Sequence, residues 1–312
     1  MLRYLIKRIL ISAATLFVIL FLLFLLLQFM PGSPFNDEKL SPDQIEVLNK
    51  KYGLDQPIYE RFFTYVGNMC KGDFGVSYSL SQDTPITTLI RNRFPVTMGI
   101  GLAAMFLGTV LGLLLGFLTS FFKRKWMSII YHFFTVLGIA APSYLAAMFF
   151  SLLFGYKLEW LPLLYDFRHP VISSIIPVCA LALPVIAIVA RFSKAESDDV
   201  MKSDYVLLAR CQGLKQRTII LRYIIRNSLI PVVTTMGTLL VGLLTGSLVI
   251  EQMFSIQGIG QLLTDAITAN DYNVVIGLSF IYSLIYIIVM LIVDLLYCVI
   301  DPRIRLTGKS KA

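Results

Sequence analysis

The chain has 312 residues, of which 57% are hydrophobic and only 15% charged, with a mean hydropathy of +0.76. Soluble globular chains are nearer about 45–50% apolar and about 25% charged, so this one has too little charge for an aqueous surface. A soluble enzyme, a disordered binder and a nucleic-acid module are excluded. The formal charge of +8, from 27 Lys and Arg against 19 Asp and Glu, fits a membrane protein whose cations collect in cytoplasmic loops.

Runs of about 20 apolar residues cross a bilayer as helices, because hydrocarbon leaves backbone groups no water to bond. The first such run is 9–30. Arg3, Lys7 and Arg8 precede it, but it exceeds a signal-peptide core and Gln28-Phe29-Met30-Pro31-Gly32 has no small-x-small cleavage site. It is expected to stay attached. Segment 31–95 follows and reads as a small helical cap. Ser41-Pro42-Asp43-Gln44 has the form of a capping box, and Gly53 supplies a helix stop. A second helix is expected from Pro57 to about Asn68, with Ile58, Phe62, Tyr65 and Val66 on one stripe. Such a cap serves either as a solvated lid or as a docking surface for an extracytoplasmic partner.

The second run, 96–122, carries Ala104, Gly108, Gly112, Gly116 and Ser120 at intervals of four. Small residues in that register let helix backbones approach closely, which predicts a packed stripe. The third run, 126–156, is longer than a bilayer needs and contains Pro142, so a tilt or kink is expected. Runs 171–190, 228–250 and 272–293 bring the expected spans to six.

Between the fourth and fifth runs lies 191–227, with eight cations and four acids. Two short helices fit it, 200–212 and 214–226, with Gly213 between them. Met201, Tyr205, Leu208 and Gln212 share a face of the first, with Ala209 beside them. Ile219, Ile220, Tyr223 and Ile224 alternate with Lys215, Arg222 and Arg226 in the second. Such a helix lies on an anionic membrane surface or in a groove on a partner, and periodicity does not separate these uses.

Alternating segments carry 18 cations on the side of the termini and 9 on the other, and the second set holds 13 of the 19 acids. Both termini are therefore expected in the cytoplasm, with Cys70 outside and Cys211 inside. Cys70, Cys179, Cys211 and Cys298 form no CxxC or CxxxC pair, so neither a zinc site nor a disulfide framework is expected. The sequence has no G-x-x-x-x-G-K-S/T phosphate loop and no H-E-x-x-H. Its two histidines, His132 and His169, support no catalytic centre. The spans are nearly free of ionisable groups, with Asp294 close to a span end, so a self-powered carrier lacks its usual parts.

Asp204-Tyr205, Ala209-Arg210, Gly213-Leu214, Arg217, Leu221-Arg222, Arg226-Asn227, Leu229 and Pro231 resemble the cytoplasmic-loop signature of binding-protein-dependent ABC import permeases. The oligopeptide/dipeptide branch is the most similar. Pro31-Gly32-Ser33-Pro34, Tyr52-Gly53-Leu54-Asp55-Gln56-Pro57 and Gly72-Asp73-Phe74-Gly75-Val76-Ser77 resemble that branch. So do Glu251, Phe254-Ser255, Gly258-Ile259-Gly260 and Asp271-Tyr272, followed by Val293-Asp294-Leu295-Leu296-Tyr297 and Asp301-Pro302-Arg303-Ile304-Arg305. Two positions depart from the wider pattern: its acidic residue falls at Leu207, and Gln257 stands where a proline is common.

The resemblance implies an all-α membrane protein of type I importer architecture. It would comprise a first segment and span (1–30), an extracytoplasmic cap (31–95) and a permease core (96–312) containing a coupling loop (191–227). It also implies a non-catalytic subunit of the bacterial cytoplasmic membrane that binds no cofactor, forming half of a pathway for oligopeptides or dipeptides. Its implied partners are a second, similar permease, two cytoplasmic subunits that use ATP, and an extracytoplasmic peptide-binding lipoprotein. Asp204, Tyr205, Ala209, Arg210, Gly213 and Leu214 would meet the ATPase, with Ala209 against it. Nickel or another small ligand is the alternative cargo. A self-contained secondary carrier and a membrane-embedded hydrolase are the rivals from other classes.

Overall fold

A computed structural model describes residues 2–29, 42–51, 53 and 55–300. The motifs at 31–34 and 301–305, the capping serine Ser41, and Tyr52 and Leu54 lie outside those residues. The described elements are helices: α1 (Leu2–Gln28), α2 (Pro42–Lys51), α3 (Ile58–Met69), α4 (Ile86–Phe122), α5 (Lys125–Ala140) and α6 (Ser143–Phe150). A π-helical stretch (Ser151–Lys157) continues α6. Then come α7 (Pro170–Ser173), α8 (Ile175–Val200), α9 (Asp204–Cys211), α10 (Gln216–Thr218) and a second π-helical stretch (Ile219–Ile225). The last three are α11 (Arg226–Met253), α12 (Ile259–Thr268) and α13 (Tyr272–Ile300). Among the described residues the sole extended pairing is an isolated bridge between Val76 and Pro85.

Among the described residues five helices are long and apolar enough to cross a membrane, and the bent pair Lys125–Ala140 and Ser143–Lys157, taken as one span, brings the number to six. The 113° bend in that pair far exceeds the kink expected for one long span. Its cause is local. Proline crowds the backbone before it out of the helical region, and Ala141 accordingly sits at φ −88°, ψ 123° before Pro142. Helix α5 stops there and α6 starts in a new direction.

The chain divides into two compact units, Met1–Val96 with Gln257–Ile288, and Thr97–Ile256 with Val289–Ala312. In the first unit, Phe62 of α3 packs edge-on against Phe17, Phe21 and Phe24 of α1, with ring centroids 5.3–5.5 Å apart. Phe62 and Met69 are buried, whereas Ile58 is exposed. The apolar stripe of α3 is thus consumed by α1, α12 and α13 in one core with Ile86, Leu262, Val274 and Leu278. Gly53 ends α2 at φ +65°, the left-handed geometry that a helix stop favours.

Helix α8 is the most enclosed element of the second unit, with Ala180, Leu181, Ala182, Val185, Ala187, Val189 and Ala190 all nearly inaccessible. It packs against α5, α6 and α11, and the small residues of α4 meet it as well. A Cβ at Gly108 would stand 2.5 Å from the Val185 Cβ, and one at Gly112 would stand 2.8 Å from the Val189 Cβ and 3.0 Å from the Ile186 carbonyl oxygen. At Gly116 it would collide with the Ser193 hydroxyl. Ala104 and Ser120 at the ends of the stripe are buried too.

Gly112→Leu is therefore expected to destabilise the α4–α8 contact by about 1–3 kcal/mol or more, since overpacking forces backbone shifts. Gly99 has open space around it, and Gly99→Ala is the matched control. Thermal unfolding and monodispersity in detergent read both; equal behaviour would refute the close-contact account.

Candidate functional site

The segment after α8 forms a small folded body. A turn at Met201–Lys202 leads to Ser203, whose extended backbone (ψ 149°) starts α9. Asp204 occupies the first turn and Arg210 the last, charges that complement the positive and negative ends of a helix. The end of α9 is a Schellman motif: the Gly213 amide donates to the Arg210 carbonyl at 3.0 Å and the Leu214 amide to the Ala209 carbonyl at 3.3 Å. Gly213 has φ +71° and no neighbour crowding a Cβ. What demands glycine there is backbone conformation rather than space. The chain then enters α10 and its π-helical continuation, where Asn227 Nδ2 donates to the Tyr223 carbonyl at 2.6 Å and Ser228 Oγ to the Ile224 carbonyl at 2.9 Å.

The first helix is shorter than expected, since 200–203 belongs to the end of α8 and the turn. Val206, Ala209, Ile219 and Ile224 form the local core, with Phe121, Met201, Leu214, Ile220 and Tyr223 packed around it. Ala209 is 2% exposed. The expectation that it lies against a partner is corrected: it must be small because it faces this chain's own second helix. On α9, Tyr205, Leu207 and Leu208 are the large apolar residues left outside, at 42%, 60% and 59% exposure. Asp204, Arg210 and Gly213 are also exposed, while Leu214 is partly covered. Leu207 escaped the sequence reading because one short amphipathic helix has two plausible apolar faces; only the position of Val206 in the core decides between them.

Two buried carboxylates anchor the segments that carried the other sequence motifs. In the first unit, Asp271 is fully buried. Its Oδ2 accepts from Ser77 Oγ at 2.5 Å and from the amides of Tyr78, Ser79 and Leu80 at 2.9, 3.1 and 3.2 Å. Its Oδ1 faces the Val274 amide at 3.4 Å, the third helical position of α13, so Asp271 also caps that helix. Around it, Asn273 Nδ2 donates to the Val76 carbonyl at 2.9 Å, and Ser79 Oγ donates to the Ala269 carbonyl at 2.7 Å. Tyr65 Oη donates to the Asn273 carbonyl at 3.0 Å; burial raises its pKa well above the usual tyrosine value, keeping it a donor. In the second unit, Glu251 is 1% exposed and accepts from Thr97 Oγ1 at 2.7 Å and Ser247 Oγ at 3.1 Å. An aspartate just ahead of an apolar run is an N-cap signal, so the helix-capping half of Asp271's role was available from sequence.

Among the described residues no cluster of three or more His, Cys, Asp or Glu side chains is placed to hold a metal ion. What the geometry provides is a set of apolar spans and a compact loop with an uncovered apolar face. That is the form of a multi-span membrane protein. The family of binding-protein-dependent transport system inner membrane components matches residues 108–306, and its N-terminal region matches residues 1–101. The chain belongs to this family.

It is 40% identical to the dipeptide transport system permease protein DppB of Lactococcus lactis subsp. cremoris (strain MG1363), covering 98% of this chain and 100% of the relative. It is 34% identical to the oligopeptide transport system permease protein OppB of Haemophilus influenzae, with the same coverage. The glutathione transport system permease protein GsiC of Escherichia coli (strain K12) is also 34% identical, over 98% of this chain and 99% of that one. Among solved structures, one described as an amino acid ABC transporter with histidines matches with a TM-score of 0.52 at 16% identity. It covers 67% of this chain and 92% of that one, and at that identity it shows a shared fold.

Proposed function

We propose that this chain is a permease subunit of an ATP-driven importer for peptides, forming half of the pathway beside a second permease. Two cytoplasmic ATPase subunits and an extracytoplasmic peptide-binding lipoprotein complete the assembly. The observation that carries the reading is end-to-end similarity to permeases named for dipeptide and oligopeptide transport. The chain itself needs no cofactor, because its partners use ATP. Its coupling element is α9, which presents Tyr205, Leu207 and Leu208 to an ATPase groove. With Leu207 where the wider family has an acid, that joint is an apolar, helix-in-groove contact without a salt bridge from this position. Deleting the chain from its source cell is expected to abolish uptake of labelled di- and oligopeptides and to leave nickel uptake unchanged. Undiminished peptide uptake, or loss of nickel uptake alone, would reject the cargo assignment.

Orientation follows from the cation count of 18 against 9, which puts α9 in the cytoplasm and α2 and α3 outside. Cys70 and Cys211 are both exposed, so each is a usable reporter. A membrane-impermeant thiol reagent on intact cells is expected to label Cys70 and spare Cys211. The opposite pattern would invert the topology and remove α9 from reach of an ATPase.

A further inference from the structure

Where α4 ends and α5 begins, a cavity of about 390 Å³ has Ser120, Lys123, Arg124, Lys125, Lys194 and Asp198 among its lining residues. The floor is a fixed network. Ser120 Oγ donates to Asp198 Oδ1 at 2.5 Å, Lys194 Nζ donates to Oδ2 at 2.6 Å, and Lys194 also stands 5.8 Å over the Tyr131 ring. Asp198 is thereby matched by Lys194, and three adjacent cations remain on the rim.

Of those rim cations, Lys125 opens α5, where helix electrostatics disfavours a cation, whereas Lys123 and Arg124 follow the C-terminal end of α4, which favours one. The start of a helix carries partial positive charge and prefers acids. Here α5 opens with Lys125, has no acid in its first turn and receives no side-chain cap from Arg124. Lys123 adds a left-handed backbone at φ +42°, which pins the connection tight. Four cations, one carboxylate and a helix start thus converge on one pocket, an arrangement that a bound anion relieves.

The surroundings are apolar. Ile129, Phe133 and Val136 are 69%, 60% and 64% exposed and follow Lys125 down one face of α5 at helical spacing, while Phe122 and Trp126 are exposed beside the pocket. A cationic recess at the head of an apolar stripe fits a ligand with an anionic head and hydrocarbon tails. We propose that this cavity is a headgroup site for an anionic phospholipid, with the phosphate at Lys123, Arg124 and Lys125 and the acyl chains along Ile129, Phe133 and Val136. The leaflet is the cytoplasmic one on the orientation proposed above, but the site itself does not depend on that orientation.

The test uses the full-length protein purified with its co-purifying subunits. Native mass spectrometry reads retention of added phosphatidylglycerol against phosphatidylcholine. Wild type is expected to hold phosphatidylglycerol at least about tenfold more tightly. Each basic residue near a membrane surface contributes about 1 kcal/mol of attraction to anionic lipid, or roughly fivefold. K123Q/R124Q/K125Q is therefore expected to weaken phosphatidylglycerol by about a hundredfold and R124Q by about fivefold. R91Q, an exposed cation at the other end of α4, should change nothing. These rim residues are exposed, so the variants are expected to fold, as monodispersity will show. Equal retention of the two lipids, or full retention by the triple variant, overturns the proposal. Displacement of phosphatidylglycerol by millimolar inorganic phosphate also overturns it, assigning the pocket to a free anion.

Discussion

Asp271→Ala is expected to be among the most damaging single substitutions in the chain, at about 3–5 kcal/mol. That is the scale for stripping a buried charged group from its partners. One carboxylate oxygen accepts from the Ser77 hydroxyl and from three consecutive amides of 78–80. Alanine would leave the buried Ser77 hydroxyl and Tyr78 amide without their acceptor and strip the part-buried amides of Ser79 and Leu80 of theirs. The helix-cap contribution to α13, about 1 kcal/mol in typical cases, would go as well. Asp271→Asn is the informative comparison: it keeps one acceptor of the right size but turns an NH2 group toward either the 77–80 amides or Val274. An intermediate loss is expected. Thermal unfolding in detergent and limited proteolysis within 70–85 read the two effects separately. An alanine variant that melts within a degree of wild type, with that segment still protected, would refute the anchoring role.

How much of this was legible in the sequence depends on the range of the interaction. Apolar runs, the glycine register of α4 and the stop at Gly213 are local signals, each fixed by a span length, a repeat of four or a backbone conformation. They located the body and end of α4 and the stop of α9, but not their starts: α4 begins at Ile86, inside the segment read as the cap, and α9 at Asp204. The direction change after Ala140 was signalled by Pro142, but its size was not. A proline specifies where a helix breaks, whereas the exit angle depends on what α6 packs against, here α8.

Long-range pairings were invisible for a similar reason. Asp271 announces itself as a cap, yet its bonds to residues 77–80 span about 190 positions, and nothing in either segment specifies the other. The outward face of α9 fell between these cases. Periodicity admitted Tyr205 and Leu208 as a face and placed Ala209 beside it, but burial of Val206 and Ala209 against Ile219 and Ile224 was needed to show which residues remain for a partner.

Substitution on that face is expected to separate coupling from folding. Leu207→Asp and Leu208→Asp place charges on side chains that are already about 60% exposed, so α9 should fold and the protein should reach the membrane at normal levels. If these residues seat in an ATPase groove, each charge is desolvated on docking without a partner, and an anchoring residue of this kind carries about 2 kcal/mol or more of binding. That converts to roughly 30-fold weaker association, seen as loss of co-purifying ATPase subunits and of transport. Ala209→Glu is expected to behave differently, because it forces a carboxylate into the Val206–Ile219–Ile224 core and should lower the yield and stability of the chain itself. Gly213→Val strains the left-handed stop at φ +71° and should misdirect the chain into α10, weakening ATPase association through geometry rather than contact. If α9 instead lies on the membrane surface, Leu207→Asp and Leu208→Asp will disturb lipid contact while ATPase co-purification stays at the wild-type level. Side-by-side pull-downs of wild type and the four variants decide between the two, and undiminished ATPase binding by both aspartate variants would sink the coupling assignment.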